Sequence, residues 1–171
     1  GIRSVGYAQG FERNGAANPA KQAEAVALAG TADVVLLFLG LDELRESEGM
    51  DRADMRLARN QIDLLDAVAE VNPNTVVVLS AGAPVETPWL PRCKALLYGA
   101  LGGQAGAGAA LDLLTGRICP GGHLAETWPL RYEDTPAADT FAAPGRIVPY
   151  KEGLYVGYRY YQTADVPVAF P

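Results

Sequence analysis

A continuous apolar run that is followed at once by a charged run restricts the fold of this sequence more than any other feature. The run Val34–Leu41 has a large apolar side chain at every position except Gly40, and residues 42–52 are then dominated by acidic residues and arginines. A short apolar run with polar flanks is typical of a strand that is buried on both faces of a parallel sheet. Because ligands of open α/β sheets bind beyond the carboxyl ends of the strands, the sequence predicts a functional loop at 42–52.

The same alternation of short apolar runs and amphipathic segments continues along the chain. It predicts strands at Ala32–Leu39, Thr75–Leu79 and Ala95–Tyr98, and helices at Ala20–Gly30, Asn60–Val71 and about Ala105–Thr115. This order indicates an α/β fold whose mostly parallel sheet is sandwiched by helices on both faces. The segment beyond Arg117 is rich in Pro, Gly and Tyr, and there we expect a short strand at His123–Thr127. A further strand or an extended C-terminal arm is expected over Leu154–Tyr161.

Length and charge exclude several classes of protein. The 171 residues suffice for one domain with a real core. A net charge of -6 argues against a general nucleic-acid surface. No apolar run approaches the roughly 18 residues of a membrane span, so we expect a soluble protein that does not bind membranes. The lack of a signal-type segment favours the cytoplasm, although Gly1 stands where a natural start residue would be.

The residue types that bind metals and cofactors are sparse. Cys93 and Cys119 lie far apart and His123 is the only histidine, so the spacing predicts no metal site and no disulfide framework. The glycine-rich segment Gly99–Gly106 follows a strand and opens a helix, but its spacing does not fit a dinucleotide fingerprint and no P-loop lysine follows. We interpret it as a tight turn that brings helix and sheet together, and we expect no cofactor. A phosphate at the helix N-terminus remains an alternative.

Within the charged loop, Glu48 is the carboxylate that we expect to carry chemistry. It is followed by Gly49 and lies close to the pair Asp51-Arg52.

Several blocks across nearly the whole chain match one family. The blocks are Ala32–Val35, Gly40-Leu41, Glu48–Arg52, Asn60-Gln61, Val71–Val78, Gly82–Glu86, Pro88–Leu90, Gly116, Gly121–Leu124, Trp128-Pro129 and Tyr150–Tyr161. With these blocks the chain resembles the C-terminal α/β-sandwich domain of glycoside hydrolase family 3, of the β-glucosidase type.

This resemblance implies a retaining enzyme that cleaves terminal β-D-glucosyl or related residues with two carboxylates from two domains. The nucleophile is an aspartate on an N-terminal TIM-like barrel of the same chain, and the general acid/base is a glutamate of the domain seen here, which corresponds to Glu48. Met50 stands where the family commonly has an aromatic residue. A retaining mechanism needs the two carboxyl groups roughly 5–5.5 Å apart. We therefore expect the fragment alone to be inactive, and Glu48 to act only when the barrel covers it.

The remaining polar residues of the loop are assigned supporting roles. Asp51 and Arg52 are expected to brace the loop rather than to contact the sugar. Glu46 is kept as a residue that binds substrate or braces the loop, and Glu43 is expected to be a solvated charge. Packing roles are predicted for Trp89, Trp128 and Glu86.

The resemblance also indicates that residues 1–171 form a partial domain. The barrel, the first strand of the sandwich and the segment Phe-Gly-x-Gly-Leu-Ser-Tyr that normally follows Phe170-Pro171 are not in the sequence. The tyrosine-rich tail suggests a protein interface, with a homo-oligomer as one option. Two other functions stay open: a non-catalytic module that binds sugar or braces a partner, and a doubly wound domain that binds a nucleotide or phosphate. The sugar, linkage and aglycone are not specified.

Overall fold

The structure, a computed structural model, describes residues 2–141 and 145–171. Its elements in chain order are α1 (Pro19–Ala29), β1 (Val35–Gly40), α2 (Arg59–Val71), β2 (Thr75–Ser80), β3 (Ala95–Tyr98), α3 (Gly106–Leu114), β4 (Trp128–Pro129), α4 (Tyr158–Thr163) and β5 (Val168–Phe170), with short 3-10 turns at Leu90–Arg92 and Tyr132–Asp134. They divide into two compact units. The first comprises Gly1–Ser47, Leu57–Gly82 and Trp89–Gly102, and the second comprises Glu48–Arg56, Ala83–Pro88 and Gly103–Pro171.

The first unit is built on a parallel sheet in the order β1-β2-β3. β1 and β2 pair from Val35 opposite Thr75 to Gly40 opposite Ser80, and β2 continues in parallel to β3. All three strands therefore end at the same edge, where the loops after Gly40, Ser80 and Tyr98 begin. The predicted α/β class with a parallel sheet and alternating helices is confirmed.

The helices of this unit begin and end where local chemistry requires. Asn18 caps α1 by accepting a hydrogen bond from the amide of Lys21 at 3.2 Å, and Pro19 occupies the first turn. After α2, the buried Asn72 donates to the carbonyls of Ala29 (2.9 Å) and Ala32 (2.8 Å), so the helix end is tied to the chain that enters β1. The most deeply buried side chains of the unit come from α2 and β2, namely Leu64, Leu65, Val68, Val77 and Leu79.

The prediction that the first strand is buried on both faces was wrong. Leu37 and Leu39 are buried, but Leu36 is 43% exposed and Phe38 is 57% exposed. The two pairs project from opposite faces because side chains alternate along a strand. An apolar run shows that both faces of a strand can be buried. It does not show whether other described residues pack against each face. β2 does fit the prediction, since four of its six residues are buried.

The second unit contains the short antiparallel pair β4-β5. Trp128 is 2% exposed, and its ring meets that of Phe170 edge to face with centroids 5.7 Å apart. The strand expected at His123–Thr127 is not formed, and β4 begins at Trp128. The strand or extended arm expected over Leu154–Tyr161 was also wrong in part, because a helix begins at Tyr158, directly after Gly157 with a φ of 61°. A glycine that interrupts the extended conformation allows this change of direction.

No helix among the described residues is long and apolar enough to cross a membrane.

Candidate functional site

The loop after β1 opens with a turn that is organised by Asp42. The Asp42 carboxylate accepts hydrogen bonds from the amides of Leu44 (3.0 Å) and Arg45 (3.1 Å), which is the usual way an aspartate stabilises a turn. Four residues after Asp42, Glu46 Oε2 accepts a hydrogen bond from the amide of Gly82 at 2.8 Å. This bond ties the loop after β1 to the loop after β2.

Gly82 suits this contact because it has no side chain. A Cβ built at this position would lie 2.9 Å from Glu46 Oε1 and 3.0 Å from a methyl group of Leu101. Next to it, the carbonyl of Ala81 accepts a hydrogen bond from the Tyr98 hydroxyl at 2.8 Å. Glu46 thus contacts the loop after β2, and its role, substrate binding or bracing of the loop, stays a prediction.

Glu43 behaves as a surface charge. It pairs with Arg13, and both side chains are about 70% exposed (68% and 72%). An exposed pair of this kind contributes roughly 0–1 kcal/mol to stability. The expectation that Glu43 is a solvated loop charge therefore agrees with its surroundings.

Glu48 lies on the exposed part of the loop in the second unit. Gly49 follows with a φ of 78°, a conformation that glycine adopts without strain. Met50, at the position where an aromatic residue was expected, is 56% exposed. The chain thus turns sharply at Gly49 and leaves the Glu48 side chain in solvent.

The residues that follow are held by a second segment, 83–88. Arg52 Nη1 donates to the carbonyl of Pro84 at 3.1 Å, and the amide of Glu86 donates to the carbonyl of Met55 at 2.7 Å. Arg52 thus contacts the segment 83–88, and the bracing role expected for it stays a prediction. Asp51 is exposed, and its role stays a prediction.

Glu86 has a larger role than the sequence suggested. Its Oε2 accepts from Arg56 Nε at 3.2 Å, and its Oε1 accepts from the amide of Tyr132 at 3.2 Å, while its side chain is only 11% exposed. We predicted a packing residue and missed this pairing. The signal was an acid directly after Val85, a residue type that favours burial, because a carboxylate in a buried segment needs partners.

The aromatic residues that could stack on a sugar are instead part of the core. Trp89 is 4% exposed and Trp128 is 2% exposed, so the predicted packing roles are confirmed.

The other polar candidates do not assemble into a site. His123 and Cys119 are exposed, and burial raises the pKa of the half-buried Cys93 thiol. Within 2–141 and 145–171 there is no cluster of three or more His, Cys, Asp or Glu residues that could hold a metal ion.

The glycine-rich segment Gly99–Gly106 leads into α3. Gly99 is close to the sheet, since its amide donates to the carbonyl of Leu79 at 2.8 Å. A Cβ at Gly103 or Gly106 would meet no atom of the described residues within 4 Å. The interpretation that the segment is a tight turn between sheet and helix stays a prediction.

Comparison with known proteins identifies the family of this chain. Residues 4–158 match the C-terminal domain of glycosyl hydrolase family 3. The chain belongs to this family. It is 47% identical to the thermostable beta-glucosidase B of Acetivibrio thermocellus over 148 residues, which cover 86% of this chain and 20% of that protein. It is 44% identical to an exo-alpha-(1->6)-L-arabinopyranosidase of Bifidobacterium breve over 156 residues, which cover 91% of this chain and 21% of that protein.

Solved structures of family 3 enzymes share the fold. The beta-glucosidase of Bifidobacterium adolescentis matches with a TM-score of 0.93 and 45% identity, over 98% of this chain and 25% of that one. The beta-glucosidase of Kluyveromyces marxianus, solved in complex with glucose, matches with a TM-score of 0.83 and 40% identity, over 89% of this chain and 18% of that one. The chain therefore spans about a fifth to a quarter of the length of these relatives.

Proposed function

We propose that this chain supplies the general acid/base of a retaining glycoside hydrolase, with Glu48 as the proton-transferring carboxyl group. The observation that carries the proposal is the exposure of Glu48 on a loop whose following residues are anchored. Arg52, four residues after Glu48, donates a hydrogen bond to the carbonyl of Pro84. A proton donor must be accessible to the substrate and also fixed in direction, and these two features support the assignment.

The chemistry needs a second carboxylate. In the first step the bond between the anomeric carbon and the glycosidic oxygen breaks, the carbon bonds to the nucleophile, and the departing oxygen takes a proton from Glu48. In the second step water attacks the anomeric carbon, gives a proton to Glu48 and releases the nucleophile. Glu48 is exposed, so another surface has to provide the nucleophile and the enclosed, negatively charged surroundings that keep a general acid protonated at rest.

We assign that surface to an N-terminal barrel of the same polypeptide, which carries an aspartate nucleophile. The relatives are about five times as long as the part that this chain matches, which leaves room for such a domain. We accordingly expect the 171 residues alone to be inactive.

The proposed substrate is a terminal β-D-glucosyl group. Relatives at comparable identity are named beta-glucosidase in one case and exo-arabinopyranosidase in the other. The matched segment therefore occurs with more than one sugar, and we place the choice of sugar mainly in the barrel.

The test is the substitution Glu48→Ala in the full-length protein. Hydrolysis of alkyl β-glucosides, whose leaving groups need a proton, should fall by about 10²–10⁴-fold, and azide should restore turnover of dinitrophenyl β-glucoside. Glu43→Ala is the matched control, since it removes another exposed acid of the same loop, and it should retain activity. Wild-type rates in Glu48→Ala, or an equal loss in Glu43→Ala, would refute the assignment.

A further inference from the structure

Glu86 lies in the segment 83–88, between two buried residues. Val85 on one side is fully buried and Thr87 on the other is 8% exposed. The Glu86 side chain itself is 11% exposed. A carboxylate in such surroundings is costly unless charged or polar partners satisfy it.

The partners of the Glu86 carboxylate come from two different segments. Arg56 Nε donates to Oε2 at 3.2 Å, and the amide of Tyr132 donates to Oε1 at 3.2 Å. Both are hydrogen bonds to an ionised acceptor, which are stronger and more directional than bonds between neutral groups. Since the Arg56 side chain is 67% exposed, the bond to the amide of Tyr132 is the better protected of the two.

The main chain of Glu86 adds a third connection. Its amide donates to the carbonyl of Met55 at 2.7 Å, one residue before Arg56. Glu86 therefore holds the end of the segment 48–56 twice, through Met55 and through Arg56, and fastens that segment to the start of the 3-10 turn Tyr132–Asp134.

Only three residues separate Glu48 from the anchored Arg52. Because each residue spans at most about 3.6 Å, so short a piece of chain limits how far Glu48 can lie from Arg52. Gly49, with its positive φ, places a turn within that piece. The position of the Glu48 carboxyl thus depends on where residues 52–56 are held.

We infer that Glu86 is a positioning residue for proton transfer: its carboxylate fixes the segment 52–56 and thereby sets the place of the Glu48 carboxyl against the glycosidic oxygen. This inference rests on the proposed function of Glu48. Glu86 does not itself exchange a proton with the substrate, because its two carboxylate oxygens are engaged by Arg56 and Tyr132.

The decisive variant is Glu86→Gln in the full-length protein. Glutamine has the same shape but only one acceptor oxygen, and its NH₂ group repels whichever of the two donors it faces. The loop is then misplaced rather than lost. A misplacement on the order of 1 Å can reduce a rate by about 10²-fold, so kcat/KM for an alkyl β-glucoside should fall by about 10–10²-fold.

The readout that distinguishes positioning from loss of folded protein is the dependence on the leaving group. Dinitrophenolate leaves without a proton, so kcat/KM for dinitrophenyl β-glucoside should change by less than about threefold. A variant that only reduces the amount of folded enzyme lowers both values equally. Glu70→Gln is the matched control, because Glu70 is also a glutamate that pairs with an arginine. It lies on α2 and pairs with Arg92, and its replacement should leave the ratio of the two kcat/KM values unchanged.

A second variant keeps the test decisive if Glu86→Gln does not fold. Arg56→Gln removes the guanidinium donor, which is the more exposed of the two. We expect kcat/KM for the alkyl β-glucoside to fall relative to that for dinitrophenyl β-glucoside, but by less than in Glu86→Gln. Equal effects on both substrates, or none, in whichever variant folds would overturn the inference. Wild-type rates in Glu48→Ala would refute the proposed function itself. A large effect of Glu48→Ala, together with an unchanged ratio of the two kcat/KM values in the Glu86 and Arg56 variants, would overturn this inference alone.

Discussion

Replacing Gln61 by leucine tests how the carboxyl end of β1 is held in place. Gln61 lies on α2 and is 2% exposed. Its side chain accepts a hydrogen bond from the Gly40 amide at 2.9 Å and donates one to the Gly40 carbonyl at 2.9 Å. The amides of Val35 and Leu41 donate towards β2. Since backbone groups of successive residues in a parallel strand point to opposite edges, the amide and carbonyl of Gly40 face away from β2. Gln61 is therefore their partner on that side.

The size of the effect follows from the two backbone groups that lose this partner. A buried polar group without a partner costs about 1–3 kcal/mol, and a buried methylene recovers about 0.8 kcal/mol. Gly40 is half-buried, and water will satisfy part of what Gln61 satisfied. We therefore expect Gln61→Leu to lower the free energy of unfolding of the first unit by about 2–3 kcal/mol.

Thermal unfolding followed by circular dichroism is the assay. For a chain of this size each kcal/mol corresponds to about 2–4 °C, so the Tm should fall by roughly 4–12 °C. Gln22→Leu is the matched control: this half-buried residue makes one hydrogen bond, to the carbonyl of Asp63 at 3.0 Å, and its loss should cost about 1 kcal/mol or less. A Tm for Gln61→Leu within 1–2 °C of the control would show that the paired contact with Gly40 carries no special weight.

Two further predictions concern packing and thiol reactivity. In Gly40→Ala the new Cβ would lie 2.2 Å from the carbonyl oxygen of Ser80, so β1 and β2 must separate. We expect the free energy of unfolding, measured in urea, to fall by about 1–3 kcal/mol. Gly103→Ala is the control: the space there is open, and the fall should be under about 0.5 kcal/mol. Burial raises the pKa of the Cys93 thiol, which leaves less thiolate at a given pH. Iodoacetamide at pH 8 should therefore label the exposed Cys119 several times faster than Cys93, as followed by mass spectrometry over time. Equal effects of the two alanine substitutions, or equal labelling rates, would contradict the respective argument.

Hydrophobic pattern and turn chemistry predicted most elements of the first unit within a few residues. The helix predicted at Asn60–Val71 spans Arg59–Val71, and the strand predicted at Ala95–Tyr98 has the same bounds in the structure. These predictions are accurate because the hydrophobic period ends where breaking residues such as Asn72-Pro73 stand. The tail was predicted less well, since a tyrosine-rich segment with glycines has no clear period, and its helix α4 depends on the turn at Gly157.

The site was only partly predictable for a different reason. The polar loop after the first strand indicated where we expect the chemistry, and the family resemblance selected Glu48 within it; this assignment stays a prediction. The bonds from Glu46 to Gly82 and from Glu86 to Tyr132 join residues 36 and 46 positions apart. No local pattern encodes such contacts, because they exist only once separate loops have been folded together.

The contact between Gln61 and Gly40 also limits how this domain can associate with other chains. A strand from a neighbouring molecule that added to the outer edge of β1 would need the amide and carbonyl of Gly40 to extend its pairing, and the Gln61 carboxamide already occupies both. Intermolecular β-addition at this edge is therefore confined to the amino-terminal part of the strand. The buried Gln61 thus protects the carboxyl end of this edge from such pairing.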